Sequence, residues 1–396
     1  LNFVELFDWG DESLVVVVIG GVMSILFEPA KIKGMEVRNR FVRSATYDGC
    51  ADKHGYVSEK QIKLFSDLAQ GGIGLIVTGI AHVHPSGQIS LFQNSMTNDD
   101  FIPGLKRLTA AVQDRGAKIA AQLFHAGRER GKFVNAQDGE ALAPSVLEHD
   151  PYFTYPYRSI REEEIWEVVR AFGDAAKRAR EAGFDAVQVH AAHAYLLSEF
   201  LSPFTNRRED DWGGALENRL RIHHEIYEDI RRKVGEDYPV LVKIGVQDGF
   251  SGGLEFSEGK MAAERLAQWG YDALEISSGL RGKGYETAEF RTKINRVERE
   301  AYFRAWCKEI RSEVNVPVMM VGGLRTFELM EEVVQKGEAD FVSLSRPLIR
   351  EPGLVNAWKS GNRHRANCIS CNKCFEALLQ LKPLHCVQER SEDGKE

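Results

Sequence analysis

Ser159-Ile-Arg-Glu162-Glu-Glu-Ile165-Trp-Glu-Val168-Val169-Arg-Ala-Phe172-Gly-Asp-Ala-Ala176-Lys-Arg-Ala179-Arg-Glu-Ala-Gly183-Phe-Asp-Ala186-Val-Gln-Val-His190 holds one complete unit of the fold. Ser159 and Glu162 have the spacing of a capping box. Ile165, Val168, Val169, Phe172, Ala176 and Ala179 then recur on one helical face, and Gly183 ends the helix. Ala186–His190 follows at once as a short apolar run rich in β-branched residues, which reads as a strand. The same alternation recurs along the chain, with strands expected near Arg38–Ser44, Gly74–Gly79, Lys118–Phe124, Ala186–His190, Val240–Val246, Ala273–Ser277, Val316–Val321 and Asp340–Ser345. Leu220, Ile226, Ile230 and Val234 mark one intervening helix, and Met261, Leu266 and Trp269 another. Thr326 opens a third, which runs through Leu329, Met330, Val333 and Val334 to Gly337. Strands joined by helical crossovers are parallel, and eight of them in this rhythm favour an α/β chain closed as a (β/α)₈ TIM barrel over an open doubly wound sheet.

Composition sets the outer limits. The chain has 396 residues, 43% hydrophobic and 28% charged, which suffices for one large domain with an appendage. A formal net charge of −7 argues against nucleic acid as the main partner, since a phosphate-binding surface needs a basic excess. Cys50 and Cys307 stand alone, whereas Cys368, Cys371, Cys374 and Cys386 crowd into the C-terminal tail. Such a cluster, with no secretory signal, points to metal or redox chemistry in a reducing, cytoplasmic setting and not to a disulfide framework. Leu14–Val22 is apolar, but too short to span a bilayer and without the basic flank of a signal peptide, so no membrane association is expected. Residues 1–22 are expected to be foreign to the fold, an extra strand or cap being the competing reading.

Two long insertions, Arg128–Arg158 and Ser278–Arg296, follow the C-terminal ends of strands, the barrel face where active sites sit. His190-Ala-Ala-His193-Ala-Tyr195 leaves the fourth strand at the same face, so these side chains can converge on the barrel mouth. Imidazoles there can donate to a carbonyl oxygen, and a tyrosine can deliver a proton to a strongly basic carbanion or enolate. Satisfied structural histidines are the plainer reading, and spacing alone leaves both open. A His-x-x-His zinc site ranks last, because no third ligand or base lies nearby.

This segment, continued by Phe200-Leu-Ser-Pro203 and Asn206-Arg-Arg, and the opening Leu26-Phe-Glu-Pro-Ala-Lys-Ile-Lys-Gly-Met-Glu-Val-Arg-Asn-Arg40-Phe-Val-Arg-Ser44-Ala-Thr46, resemble the Old Yellow Enzyme family of FMN-dependent ene-reductases. The resemblance spans Leu26 to Arg350. It implies an FMN-binding barrel over 23–360, a non-family extension over 1–22 and a Cys-rich tail over 361–396. It also implies that Ser44, Ala45 and Thr46 contact the flavin, with Thr46 at its O4–N5 edge. Gly79, ending strand two, would lie under the ring, Gln122 would bond the pyrimidine edge, and Lys243 would place a cation near N1 and O2. Gly322, Gly323, Leu324, Ser345 and Arg346 resemble the phosphate loop, although a glycine pair after a strand is also an ordinary turn.

On the same resemblance, NAD(P)H reduces FMN. A small α,β-unsaturated ketone, aldehyde or acyl thioester then accepts a hydride at its β-carbon, its carbonyl oxygen held by His190 and His193 and its α-carbon protonated by Tyr195. Three departures stand out. Lysine at 243 replaces the more usual arginine and cannot form a bidentate fork. Thr46 stands where one branch has a redox-tuning cysteine, and Asp48 where that branch has a substrate-lining tyrosine. The tail cysteines resemble the [4Fe–4S] motif of the 2,4-dienoyl-CoA reductase and trimethylamine dehydrogenase branch, with the third cysteine one residue early. A [4Fe–4S] cluster, a structural zinc and an empty site all stay open there. Alternative functions are a dehydrogenase or demethylase passing electrons through a cluster to a partner protein, and a flavin or metal redox sensor. A homo-oligomer is compatible with each.

Overall fold

All eight expected strands form, and they close on themselves. The structure is a computed structural model that describes residues 3–5, 17–19, 23–132, 140–284 and 286–388. Strands β1 (Phe41–Arg43), β2 (Leu75–His82), β3 (Lys118–Phe124), β4 (Ala186–Ala191), β5 (Val240–Gly245), β6 (Ala273–Ser277), β7 (Val318–Met320) and β8 (Phe341–Leu344) pair in parallel with their neighbours in that order. β8 pairs with β1 through Val342 opposite Phe41, so these eight strands close into a (β/α)₈ barrel, and a two-residue strand, Asn94–Ser95, pairs beside the end of β2. Crossover helices α1 (Glu59–Gln70), α2 (Ile102–Gln113), α3 (Glu162–Glu181), α4 (Leu216–Val234), α5 (Phe256–Trp269), α6 (Arg304–Arg311) and α7 (Phe327–Gln335) alternate with the strands, and α8 (Leu354–Lys359) follows the last one.

One local expectation is corrected. Ser159 does not cap α3. It sits in a short strand, Arg158–Ser159, paired with Leu142–Ala143, and its hydroxyl accepts from the Val146 amide at 3.1 Å. The first turn is instead capped by Glu164, whose carboxylate accepts from the Arg161 amide at 2.9 Å and from the Arg158 guanidinium at 2.7 and 2.9 Å. Adjacent carboxylates disguise which one turns back.

The barrel interior changes character along its axis. At the N-terminal end a hairpin of Ala30–Ile32 and Met35–Val37 sends Ile32, Met35 and Val37 against inward-facing Val42, Leu75, Val77, Ala120, Ala186, Leu241, Ala273, Met319 and Phe341. Successive inward positions on a strand are two residues apart. The next layer is therefore Ser44, Gln122, Gln188, Lys243, Glu275 and Ser343, all buried. A dry floor beneath a buried polar ring is costly unless the ring is hydrogen-bonded, so its presence points to a site above it.

Phe3–Glu5 pairs antiparallel with Val17–Ile19 in a two-stranded sheet separate from the barrel. The rest of the 1–22 extension, residues 133–139 of the first insertion, and 389–396 of the tail lie outside the described residues. Among the described residues, no helix is long and apolar enough to cross a membrane.

Candidate active site

A cavity of about 610 Å³ opens at the C-terminal ends of the strands, within the range typical of small-molecule and cofactor sites. Its inner wall is the turn after β1, Ser44, Ala45, Thr46 and Tyr47, together with Lys243 and Ser277. Lys243 Nζ donates to Ser44 Oγ at 2.9 Å and lies 3.3 Å from Glu275. Behind it Gln122 Nε2 donates to Gln188 Oε1 at 2.8 Å, and Gln188 Nε2 donates to Glu275 at 3.0 Å. Five members of the polar ring, Ser44, Lys243, Glu275, Gln188 and Gln122, are thus one connected network with a cation at the cavity surface, and Ser343 Oγ stands outside it. Thr46 Oγ1 and Ser345 Oγ, 2.8 Å apart, tie the turns after β1 and β8 together.

The opposite end is cationic. Gly323, Leu324, Arg325, Ser345 and Arg346 line it. Gly322 and Gly323 have φ of 129° and 73°, and a Cβ at Gly323 would meet the Tyr302 ring at 2.8 Å, so the turn after β7 needs glycine for both conformation and space. Arg346 Nη1 donates to the Arg291 carbonyl at 2.8 Å. Arg325 directly follows the predicted phosphate loop and was not anticipated. Its side chain is buried, with Nη1 on the Cys368 carbonyl and with Nε and Nη2 lacking a partner. Unpartnered guanidinium nitrogens in a cavity wall are what an anionic ligand group satisfies. With the cation at 243, they fit FMN: Arg325, Arg346 and the Gly323 turn would hold its phosphate, and Lys243, Ser44 and Thr46 its ring.

The third wall is the turn after β4. His193 and Ala194 both have φ of 64°, an uncommon pair for residues with a Cβ, and the His193 amide donates to the Ser278 carbonyl at 3.1 Å. The turn brings His193 and Tyr195 to the cavity surface. His193 Nε2 is hydrogen-bonded to Ser277 Oγ at 2.7 Å, and Nδ1 lies 3.9 Å from Glu289. Tyr195 stands edge-on to Phe124, with ring centres 4.5 Å apart. Burial pushes the Tyr195 phenol up to about 12; Arg281 opposes the rise, and Glu129 and Glu289 add to it. Burial, with Lys243 and Arg281 nearby, holds His193 well below the usual imidazole range, and burial with His193 does the same for His190. Both rings are neutral at pH 7.

Several expected residues lie elsewhere. His190 is not in the cavity wall; its ring packs behind, 5.0 Å from that of His193 and 5.1 Å from that of Tyr195. Asp48 is also outside it. Its carboxylate is buried, accepting from the Cys50 amide at 2.7 Å and from Gln61 at 3.2 Å. Gly79 does not end β2, which runs three residues further after an irregularity between Val77 and Ile80; a Cβ there would meet the Thr46 carbonyl at 3.0 Å. Gln122 and Gly322 stand one shell behind the wall. The two insertions supply Glu129, Arg281, Glu289 and Phe290.

Cys368, Cys371, Cys374 and Cys386 surround one small cavity of about 20 Å³ beside Arg346, and all four are free thiols. Among the described residues they do not form a ligand set, nor does any group of three or more His, Cys, Asp or Glu. The tail serves instead as a wall: Asn372, Cys374, Phe375 and Leu378 line the large cavity, and the Leu384 amide donates to the Asp48 carbonyl at 2.8 Å.

Residues 25–365 match the family described as NADH:flavin oxidoreductase / NADH oxidase. A metal reductase from Desulforamulus reducens is 36% identical over 377 residues, covering 94% of this chain and 54% of the relative. An NADPH dehydrogenase from Geobacillus sp. strain WCH70 is 34% identical over 330 residues, covering 83% of this chain and 92% of that protein. Among solved structures, a 2-naphthoyl-CoA reductase in complex with 2-naphthoyl-CoA superposes with a TM-score of 0.84 at 27% identity, over 91% of this chain and 56% of that one. The chain thus spans about half the length of some relatives and nearly all of others.

Proposed function

Because the chain belongs to the NADH:flavin oxidoreductase / NADH oxidase family, we propose that it is an FMN-dependent oxidoreductase that takes reducing equivalents from NADH or NADPH and reduces the activated C=C bond of an α,β-unsaturated carbonyl compound. One observation carries the reading: a single cavity joins a cation-backed wall at Lys243, an anion-binding end at Arg325 and Arg346, and a wall that presents a neutral imidazole beside a phenol. FMN, when bound, supplies the hydride chemistry that no side chain can. Similarity to a 2-naphthoyl-CoA reductase supports keeping acyl thioesters in the substrate class beside ketones and aldehydes.

The residues divide the remaining work. Lys243 offsets negative charge at the inner wall, with Ser44 and Glu275 fixing its Nζ. His193, neutral and anchored to Ser277, orients the substrate carbonyl oxygen; His190 supports both His193 and Tyr195 from behind. Tyr195 keeps its proton at neutral pH and gives it only to a strong base, such as the α-carbon of an enolate. Phe290 and the tail residues Phe375 and Leu378 give the cavity an apolar cover that limits water. Among the described residues the tail cysteines do not form a ligand set, and the proposed steps use none of them.

Tyr195→Phe tests the assignment, because it removes the acid and keeps the ring. Anaerobic stopped-flow traces should show flavin reduction by NAD(P)H nearly unchanged and substrate reduction slowed about 10²–10⁴-fold. Equal slowing of both half-reactions would remove Tyr195 from the proton-transfer step.

A further inference from the structure

The insertion after β6 carries a partly buried ion pair, Arg281 with Glu289, in the wall of the cavity. Arg281 lies four residues beyond β6, on a backbone pinned at two points: the Leu280 amide donates to Asp248 Oδ1 at 2.7 Å, and the Gly249 amide donates to the Leu280 carbonyl at 2.8 Å. Its Nε donates to both Glu289 carboxylate oxygens at 3.0 Å, and its Nη1 is 3.7 Å from Glu129 Oε2. The guanidinium carbon is 6.0 Å from the centre of the Tyr195 ring, and Glu289 reaches to 3.9 Å from His193 Nδ1. Arg281, Glu289, Glu129, His193 and Tyr195 all line the same cavity.

We infer that Arg281 is a positioning residue for proton donation by Tyr195: its guanidinium stabilises the phenolate that remains after the proton leaves, and Glu289 and Glu129 hold it there and limit its effect. This deepens the proposed function and rests on Tyr195 as the donor. In the step itself the Tyr195 O–H bond breaks and a C–H bond forms at the substrate α-carbon. The O–H electron pair stays on the phenolic oxygen, and water later returns a proton. The charged and titratable groups facing the phenol are Arg281 and Glu289 from the β6 insertion, Glu129 from the segment after β3, and the neutral rings of His190 and His193 from β4 and its turn; Phe124 of β3 is apolar. Arg281 is the cation among them, and it acts against burial and against both carboxylates. Without it the phenol would face two negative groups and become a still weaker acid. Pairing of Nε and Nη2 with Glu289 suits this task, because it fixes the plane of the guanidinium beside the Tyr195 ring.

The test uses the FMN-loaded enzyme and a double-mutant cycle. Arg281→Met should slow the substrate-reduction half-reaction about 10²-fold, Arg281→Lys should recover part of the loss, and neither should change flavin reduction by NAD(P)H. In a Tyr195→Phe background Arg281→Met should have no further effect. An independent readout is the pH at which Tyr195 ionises, taken from the near-ultraviolet difference between each variant and its Tyr195→Phe counterpart. That pH should rise in Arg281→Met and fall in Glu289→Gln, a variant that keeps Arg281 and serves if Arg281→Met does not fold. Multiplicative losses across the cycle, or an ionisation that moves in neither variant, would overturn the inference while leaving Tyr195 as donor. An unaffected substrate step in Tyr195→Phe alone would instead overturn the reading on which it rests.

Discussion

Lys243 shows how much one residue can carry. Its ammonium is buried between Ser44 Oγ and Glu275, so the pair is a desolvated charge on each side of a single 3.3 Å contact. Removing one partner strands the other, which typically costs about 3–5 kcal/mol, whereas neutralising both is far cheaper. Lys243→Met should therefore lower stability by about that amount in urea unfolding, and Lys243→Met combined with Glu275→Gln should recover most of it while leaving FMN binding weak. A double variant no more stable than the single one would show that the pair is not coupled. Lys243 was legible from strand position and resemblance together; Glu275 was not, because one acid inside Ala273–Ser277 looks like any strand residue until the barrel closes. Arg325 and Arg281 were hidden for a related reason: no motif marks either, and the direction of each is set by a contact beyond its own turn, Arg325 with the Cys368 carbonyl and Arg281 with Glu289 further along the same insertion. Asp48 and His190 show the reverse case, side chains at motif positions that the local backbone turns away from the cavity.

Among the elements, α3 gives the clearest test of local chemistry. Glu164 accepts from the Arg161 amide and from Arg158, and those contacts hold its carboxyl down to about 2, the Arg158 hydrogen bond contributing most. A carboxyl held below its unfolded value stabilises the fold fully above about pH 4.5 and loses that contribution as the pH falls towards 2. Glu164→Gln should thus cost about 1–2 kcal/mol at pH 7, and the gap to the parent in denaturant midpoint should close on acidification. A gap that persists unchanged at pH 2 would assign the effect to packing. The helix itself was readable from its apolar stripe, as were β3 and β6 to their end residues, because periodicity is written in contiguous sequence. The cap was misplaced for a physical reason: Ser159 is drawn into a strand pair with Leu142–Ala143, sixteen residues upstream, and a non-local pairing overrode a local signal. β7 shrank from its predicted bounds to Val318–Met320 because pairing with β6 and β8 decides where a buried strand ends.

At the scale of the whole molecule, the fold follows from repetition and the site from the change of character inside the barrel. Eight strands with apolar residues facing the floor, six of them with a polar residue two positions later, make a dry base under a buried polar ring, and the turns after β1, β4, β7 and β8 bring Thr46, His193, Gly323 and Ser345 into one cavity. That much follows from strand order. The cover does not, since the insertion after β6 and the tail around Phe375 find their places only through contacts with the finished barrel. The central claim, that this cavity moves a hydride from a nicotinamide to an activated alkene, is tested most directly by one anaerobic spectroscopic titration of the FMN-loaded protein. NADH or NADPH should bleach the flavin absorbance, and an α,β-unsaturated ketone or acyl thioester should then restore it with one saturated product formed per flavin. A flavin that neither nicotinamide reduces, or a reduced flavin that no activated alkene reoxidises in the absence of oxygen, would contradict the account.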